Sequence, residues 1–132
     1  MKTNAHRGLF ASAALFNWLA GLPLLLAPNF STGLLGLPPL NATGMLFMQI
    51  TAGVVVAFGV AYWVVSRDPV RYRPYINLGL GLKVFLAGLV YVYWFSRQIP
   101  WPLPALATFD FVFAWFFWRY LRAHPIIGAS SS

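Results

Sequence analysis

The sequence predicts an all-α fold, namely an integral membrane four-helix bundle with antiparallel neighbouring helices and both termini in the cytoplasm. Three observations lead to this prediction. Only 8% of the 132 residues are charged, four apolar runs are each long enough to cross a bilayer, and basic residues gather on one side of those runs. A soluble domain carries about 25% charged residues, so this chain has too little polar surface to face water, and lipid is the expected solvent.

The four apolar runs are predicted to be transmembrane helices at residues 9–27, 42–65, 75–95 and 103–121. Each is close to the roughly 20 residues that cross about 30 Å of hydrocarbon as a helix. Four long runs cannot close a β-barrel, and an open sheet edge is not tolerated in lipid. We expect one membrane domain over residues 1–132, with a disordered tail at residues 125–132.

The first run has an alternative interpretation as a signal peptide, because Lys2, His6 and Arg7 form a basic segment before it. Its apolar stretch is long for a signal peptide, and no clean cleavage site with small residues follows it. We therefore expect it to be retained as the first span.

Residues typical of helix boundaries lie in the short connections between the spans. Asn41 suits the start of the second helix, and Pro74 suits the first turn of the third. Pro100 and Pro102 stiffen the approach to the fourth helix. Because short loops join consecutive helices, these helices should be antiparallel neighbours.

The distribution of positive charge predicts the orientation in the membrane. The connection at residues 28–41 has no charge, and the connection at residues 96–102 has only Arg97. Seven basic residues lie on the other side: Lys2, Arg7, Arg67, Arg71, Arg73, Arg119 and Arg122. The positive-inside rule places that side in the cytoplasm. The last five are predicted to fix topology and to contact lipid headgroups.

Each predicted span carries one polar residue that lipid disfavours, and the four are Asn17, Gln49, Lys83 and Asp110. Around each of them, the residues three or four positions away, which share its helix face, include alanine or glycine. Small residues mark the faces on which membrane helices approach closely. The four side chains are therefore predicted to point into one bundle interior.

Lys83 and Asp110 are predicted to form an ion pair within the membrane. They lie about 14 Å and 18 Å from the cytoplasmic side, Asn17 lies at their level about 15 Å deep, and Gln49 lies nearer the outer side. Pairing would offset the several kcal/mol that a lone lysine costs there. The pair either locks helix packing or acts as a relay or a ligand counter-ion. The lack of a further titratable group in line favours the structural role.

The sequence predicts no catalytic or metal-binding residue. The chain has no cysteine, which excludes disulfides and thiolate chemistry. Asp68 and Asp110, the only carboxylates, lie at different depths and cannot act as a pair, and no catalytic or phosphate-binding motif is present. His6 and His124 lie outside the spans, where haem or pigment ligation is not expected. We expect no enzymatic activity and no resident cofactor.

Aromatic residues are predicted to form belts at both membrane interfaces. The cytoplasmic belt contains Tyr62, Trp63, Tyr72, Tyr75, Trp118 and Tyr120, and the outer belt contains Tyr91, Tyr93, Trp94 and Trp101. Trp18 lies between the belts and should pack on a neighbouring helix or on Lys83. The aromatic surface suits a flat apolar ligand such as a quinone or a carotenoid, although lipid-facing bulk explains it better.

The chain resembles a group of small, uncharacterised four-helix bacterial membrane proteins, which look like distant relatives of the DoxX-like proteins. The resemblance rests on the stretch "FMQITAGVVVAFGVAYWVVSRDPVRYRPYINLGLGLKVFLAG", with "FNWLAGLPLLLAP" before it and "ATFDFVFAWFFWRYL" after it. The resemblance implies a four-helix bundle in the bacterial inner membrane and supplies no catalytic residue. Some DoxX-like proteins are associated with redox complexes, which implies a subunit role.

The sequence therefore favours an accessory or structural subunit that packs against a larger membrane complex or against itself, in contact with membrane lipid. A proton or small-solute carrier working through Lys83 and Asp110 is one alternative, and a binder of an apolar cofactor is another. The basic residues lie at the ends of apolar runs, which indicates topology and not a nucleic acid partner.

Overall fold

The computed structural model describes residues 2–125, with side chains from His6 onward. All regular secondary structure in this range is helical. The helices are α1 (Lys2–Leu26), α2 (Pro28–Leu34), α3 (Ala42–Arg67), α4 (Arg73–Phe95) and α5 (Pro102–Ala123). The all-α prediction is confirmed for these residues. The predicted disordered tail at residues 125–132 lies outside them, apart from its first residue.

Three helices in this part of the chain are long and apolar enough to cross a membrane: α1 from His6 to Leu26, α3, and α4. The fourth predicted span coincides with α5, which has 22 residues. It does not reach the same apolarity, because Asp110, Arg119 and two prolines lower its mean hydropathy. By length and composition, therefore, the structure has three candidate spans where the sequence predicts four.

The short helix α2 lies where the sequence predicts only a connection. Pro28 occupies its first turn, where a fixed φ favours helix initiation. Gly36 ends it with a φ of 75°. The Gly36 N–H donates to the Gly33 carbonyl and the Leu37 N–H to the Thr32 carbonyl, which is the Schellman pattern at a helix end. Asn41 then forms the N-cap of α3, in the turn before this helix as predicted, and its side chain accepts from the Gly44 N–H at 2.7 Å.

The long helices pack as two antiparallel pairs. On α1 and α3, Asn17 lies opposite Val55 and Leu25 lies opposite Gln49. On α4 and α5, Tyr91 meets Thr108 at one end and Arg73 meets Leu121 at the other. The buried core joins the two pairs at the end where α4 begins. It consists of Phe10, Ala13, Ala14, Tyr62, Val65, Ile76, Phe117 and Tyr120.

Candidate functional site

The ammonium of Lys83 is the point where three helices meet. Lys83 lies in the middle of α4, and its Nζ is 2.7 Å from Oδ1 of Asp110 on α5. It also donates a hydrogen bond to Oδ1 of Asn17 on α1, at 3.1 Å. The side chain of Lys83 is 3% exposed and that of Asp110 is 23% exposed. The structure therefore brings together three of the four predicted polar residues.

The amide of Asn17 connects this ion pair to α3. Its Nδ2 donates to the main-chain carbonyl of Val55 at 3.0 Å, and this leaves Oδ1 turned towards Lys83. Both ends of the amide are thus occupied. One chain of hydrogen bonds, from Val55 through Asn17 and Lys83 to Asp110, crosses all four long helices.

Aromatic rings surround the rest of the ammonium. The centroids of Phe16, Tyr62 and Phe113 each lie 5.3 Å from Lys83 Nζ, within the range of cation–π attraction. Trp18 is not among these rings. It packs on α3, the first of its two predicted positions, and its Nε1 donates to the Val56 carbonyl at 3.3 Å.

Tyr62 is a site residue that the sequence interpretation missed. The sequence predicts that Tyr62 lies in the cytoplasmic aromatic belt, whereas in the structure its side chain is fully buried beside Lys83. The space for its ring comes from Gly79 on α4, because a Cβ at that position would lie 2.5 Å from the tyrosine hydroxyl. The sequence feature that could have indicated this position is the spacing of Gly79 and Lys83, because one helical turn separates them and the glycine leaves room for a large side chain beside the lysine.

Gln49 has no hydrogen bond to the other three polar residues and lies apart from them, towards the end that the sequence predicts to be the outer side. Its Nε2 donates to the main-chain carbonyl of Leu25 at 3.2 Å. Leu25 is in the last turn of α1, where helix carbonyls have no partner within the helix. The Gln49 side chain therefore supplies a hydrogen-bond donor to a carbonyl at the C-terminal end of α1.

A cavity of about 310 Å³ lies between the helices, with the ion pair at its floor. Its walls are mostly aliphatic. They include Leu24, Leu35, Leu37, Leu86, Leu103 and Leu106. The cavity extends towards the end of the molecule formed by the α2–α3 connection and the start of α5. It stops at Tyr62, where the buried core begins.

The five predicted headgroup arginines divide into two kinds. Four are exposed and lie over aromatic rings of their own segment, which are those of Trp63 for Arg67, Tyr72 for Arg71, Trp115 for Arg119 and Trp118 for Arg122. Their contact with lipid headgroups stays a prediction. Arg73 differs, because its guanidinium donates to the carbonyls of Leu121, at 3.2 Å, and of His124. Arg73 satisfies carbonyls at the C-terminal end of α5, and its predicted contact with a headgroup stays a prediction.

We expect Arg73→Gln to lower the free energy of unfolding by about 1.5–3 kcal/mol, because it removes charge-assisted hydrogen bonds to two helix-end carbonyls. The matched control is Arg71→Gln, which removes an exposed guanidinium from the same loop. Thermal unfolding of both variants in one detergent measures the difference. Equal losses in the two variants would show that Arg73 has no capping role.

The two histidines meet at the same end of the molecule. The His6 ring centroid lies 4.7 Å from that of His124 and 4.8 Å from that of Tyr120. The Tyr120 and His124 rings stack at 4.3 Å. Within residues 2–125, no three metal-ligating side chains form a group. These rings close the end of the core between α1 and α5.

No protein-family model, no curated protein and no solved structure matches this chain. The resemblance to DoxX-like proteins therefore stays a prediction.

Proposed function

We propose that this chain is a bacterial inner-membrane protein that holds an apolar small molecule between its helices. The observation that supports this proposal is the cavity of about 310 Å³, with its leucine-rich walls and a charged pair at one end. Small-molecule sites are typically about 300–1,000 Å³, mostly apolar, and fitted with a few polar groups that orient the ligand. In helical bundles such sites lie between the helices.

The proposal includes four membrane spans with both termini in the cytoplasm. The fourth span is α5, which packs antiparallel to α4 and exposes Phe109, Val112, Trp115 and Phe116. Large apolar side chains exposed on every long helix are expected where lipid is the solvent. The seven basic residues on one side support the orientation.

Ligand binding accounts for the cavity with an ion pair at its floor, which the subunit hypothesis does not explain. Lipid covers exposed apolar residues as well as a protein partner does, so these residues single out no docking face. Passage of a solute is less favoured than its retention, because the cavity ends at Tyr62 and the aromatic core lies beyond it. The subunit and carrier hypotheses both stay predictions.

The experiment is a mild purification followed by organic extraction and mass spectrometry of the extract. Wild type should retain a stoichiometric apolar molecule. Leu86→Trp should lose most of it, because Leu86 lines the cavity and the larger indole fills the space. The matched control is Leu78→Trp on the same helix, where the side chain is 62% exposed, and this variant should retain the molecule.

Two results would contradict the proposal: a wild-type protein that carries nothing in any mild detergent, or equal yields from the two tryptophan variants. Protein mass spectrometry of the same preparation tests the subunit hypothesis. A stoichiometric larger complex would support it, and a solitary protein would count against it.

A further inference from the structure

The cavity floor offers an open hydrogen-bond acceptor, and it belongs to Asp110. Oδ1 of this carboxylate accepts from Lys83. Oδ2 accepts no hydrogen bond from any residue that the structure describes. Lys83 and Asp110 both line the cavity, and Asp110 is the more exposed of the two, at 23% against 3%.

The other polar groups near the floor differ in whether they already have hydrogen-bond partners. Both ends of the Asn17 amide are hydrogen-bonded, to Lys83 and to Val55. Tyr62 also lines the cavity, and its buried hydroxyl, which packs against Gly79, has no hydrogen-bond partner among the described residues. Thr51 also lines the cavity, one turn before Val55 and on the far side from Tyr62. The floor therefore presents an acceptor, Asp110 Oδ2, and a donor without a partner, the Tyr62 hydroxyl. A hydroxyl on a ligand can donate to the first and accept from the second, whereas a carbonyl can only accept.

Charge restricts the head of the ligand further. Lys83 and Asp110 together are neutral, so an anionic head would place an unpaired negative charge beside the Asp110 carboxylate. A cationic head would add a positive charge close to Lys83. Both costs are large in an apolar cavity, where charges are poorly screened. A ketone or a quinone is neutral, but its carbonyl oxygen has no hydrogen to donate to Oδ2.

We infer that the ligand has an aliphatic body and a neutral hydroxyl head that donates a hydrogen bond to Asp110 Oδ2. This inference rests on the proposed function, since it concerns the same cavity. The class comprises long-chain alcohols, sterol-like alcohols and the reduced, hydroxyl-bearing form of a quinone. The leucine side chains contact the body, and the carboxylate fixes the end that enters first.

The test is a series of ligands with one chain length and different heads: decyl alcohol, methyl octyl ketone, decanoate, decylamine and decane. Each is titrated into detergent-solubilised wild type, and the bound fraction is read by native mass spectrometry with thermal shift as a second readout. We expect decyl alcohol to bind at least about tenfold more tightly than the ketone or the alkane, because a hydrogen bond to a charged group increases affinity by about this factor or more.

The control variant is Lys83→Met with Asp110→Leu, which removes the pair as a unit and leaves no buried charge unpaired. The preference for alcohol over ketone should disappear in it, while decane still binds. Equal binding of alcohol, ketone and alkane to wild type would overturn this inference and leave the cavity as an apolar site. Tightest binding of decanoate or decylamine, or a native extract without a hydroxyl, would also overturn it. Failure of every ligand together with an empty extract would instead reject the proposed function itself.

Discussion

Asp110→Asn should lower the free energy of unfolding by about 3–5 kcal/mol, because it leaves the Lys83 ammonium buried without a counter-ion. Lys83→Met should cost less. The carboxylate that it leaves behind is 23% exposed in the cavity, whereas the lysine is 3% exposed. The double variant, Lys83→Met with Asp110→Asn, should be more stable than Asp110→Asn alone, since neither charge remains.

The measurement is a double-mutant cycle of unfolding free energies in one detergent. Arg97→Met serves as the control, because it removes an exposed positive charge from the α4–α5 connection. A structural pair gives a large coupling energy, and additive effects of the two single changes would contradict the pairing. The carrier hypothesis predicts a different pattern, in which single variants remain stable in liposomes but lose flux.

This ion pair was predictable because the sequence allows few alternatives. Lys83 and Asp110 are the only charged residues deep within the predicted spans, and helical rise alone places them at similar depths. An unpaired charge in lipid is costly, so two opposite charges at one depth should meet. Asn17 was predictable for the same reason, as a polar group on a small-residue face at that level.

The contacts of Gln49 and Tyr62 are not predictable from the sequence, because depth and helix face do not identify the opposing atom. The partner of Gln49 is a main-chain carbonyl, exposed only because α1 ends before Pro28. The burial of Tyr62 depends on the absence of a side chain at Gly79, on a different helix. Arg73 likewise carries the same charge as Arg71, and only the position of the α5 terminus distinguishes their roles.

The cavity itself was beyond sequence prediction. It is bounded by residues from the α2–α3 connection as well as from the long helices, including Leu35 and Leu37. The sequence predicts no helix in that connection, although Pro28 and Gly36 carry the residue signature of a short helix start and end. The volume of a cavity depends on how side chains from several helices pack together. The hydrophobic pattern of a sequence does not specify that packing.

Gly79→Ala should be the most destabilising single-methyl change on α4, with a loss of about 1–3 kcal/mol from overpacking. The new Cβ would lie 2.5 Å from the Tyr62 hydroxyl. The ring of Tyr62 is fully buried and packs against Phe117, with its ring centroid 5.2 Å from that of the phenylalanine, so its displacement would cost this packing. Relief would require α3 and α4 to separate or the ring to shift, and either would disturb the aromatic enclosure of Lys83.

Gly81→Ala is the matched control, two residues further along the same helix. A Cβ there meets nothing within 4 Å, so this variant should be neutral or slightly more stable because alanine favours the helix. Thermal unfolding of the two variants in one detergent gives the comparison. The steric origin is tested in a Tyr62→Leu background, where the cost of Gly79→Ala should fall because the clashing hydroxyl is gone. An equal cost in both backgrounds would place the effect in the backbone of α4 and not in its packing against Tyr62.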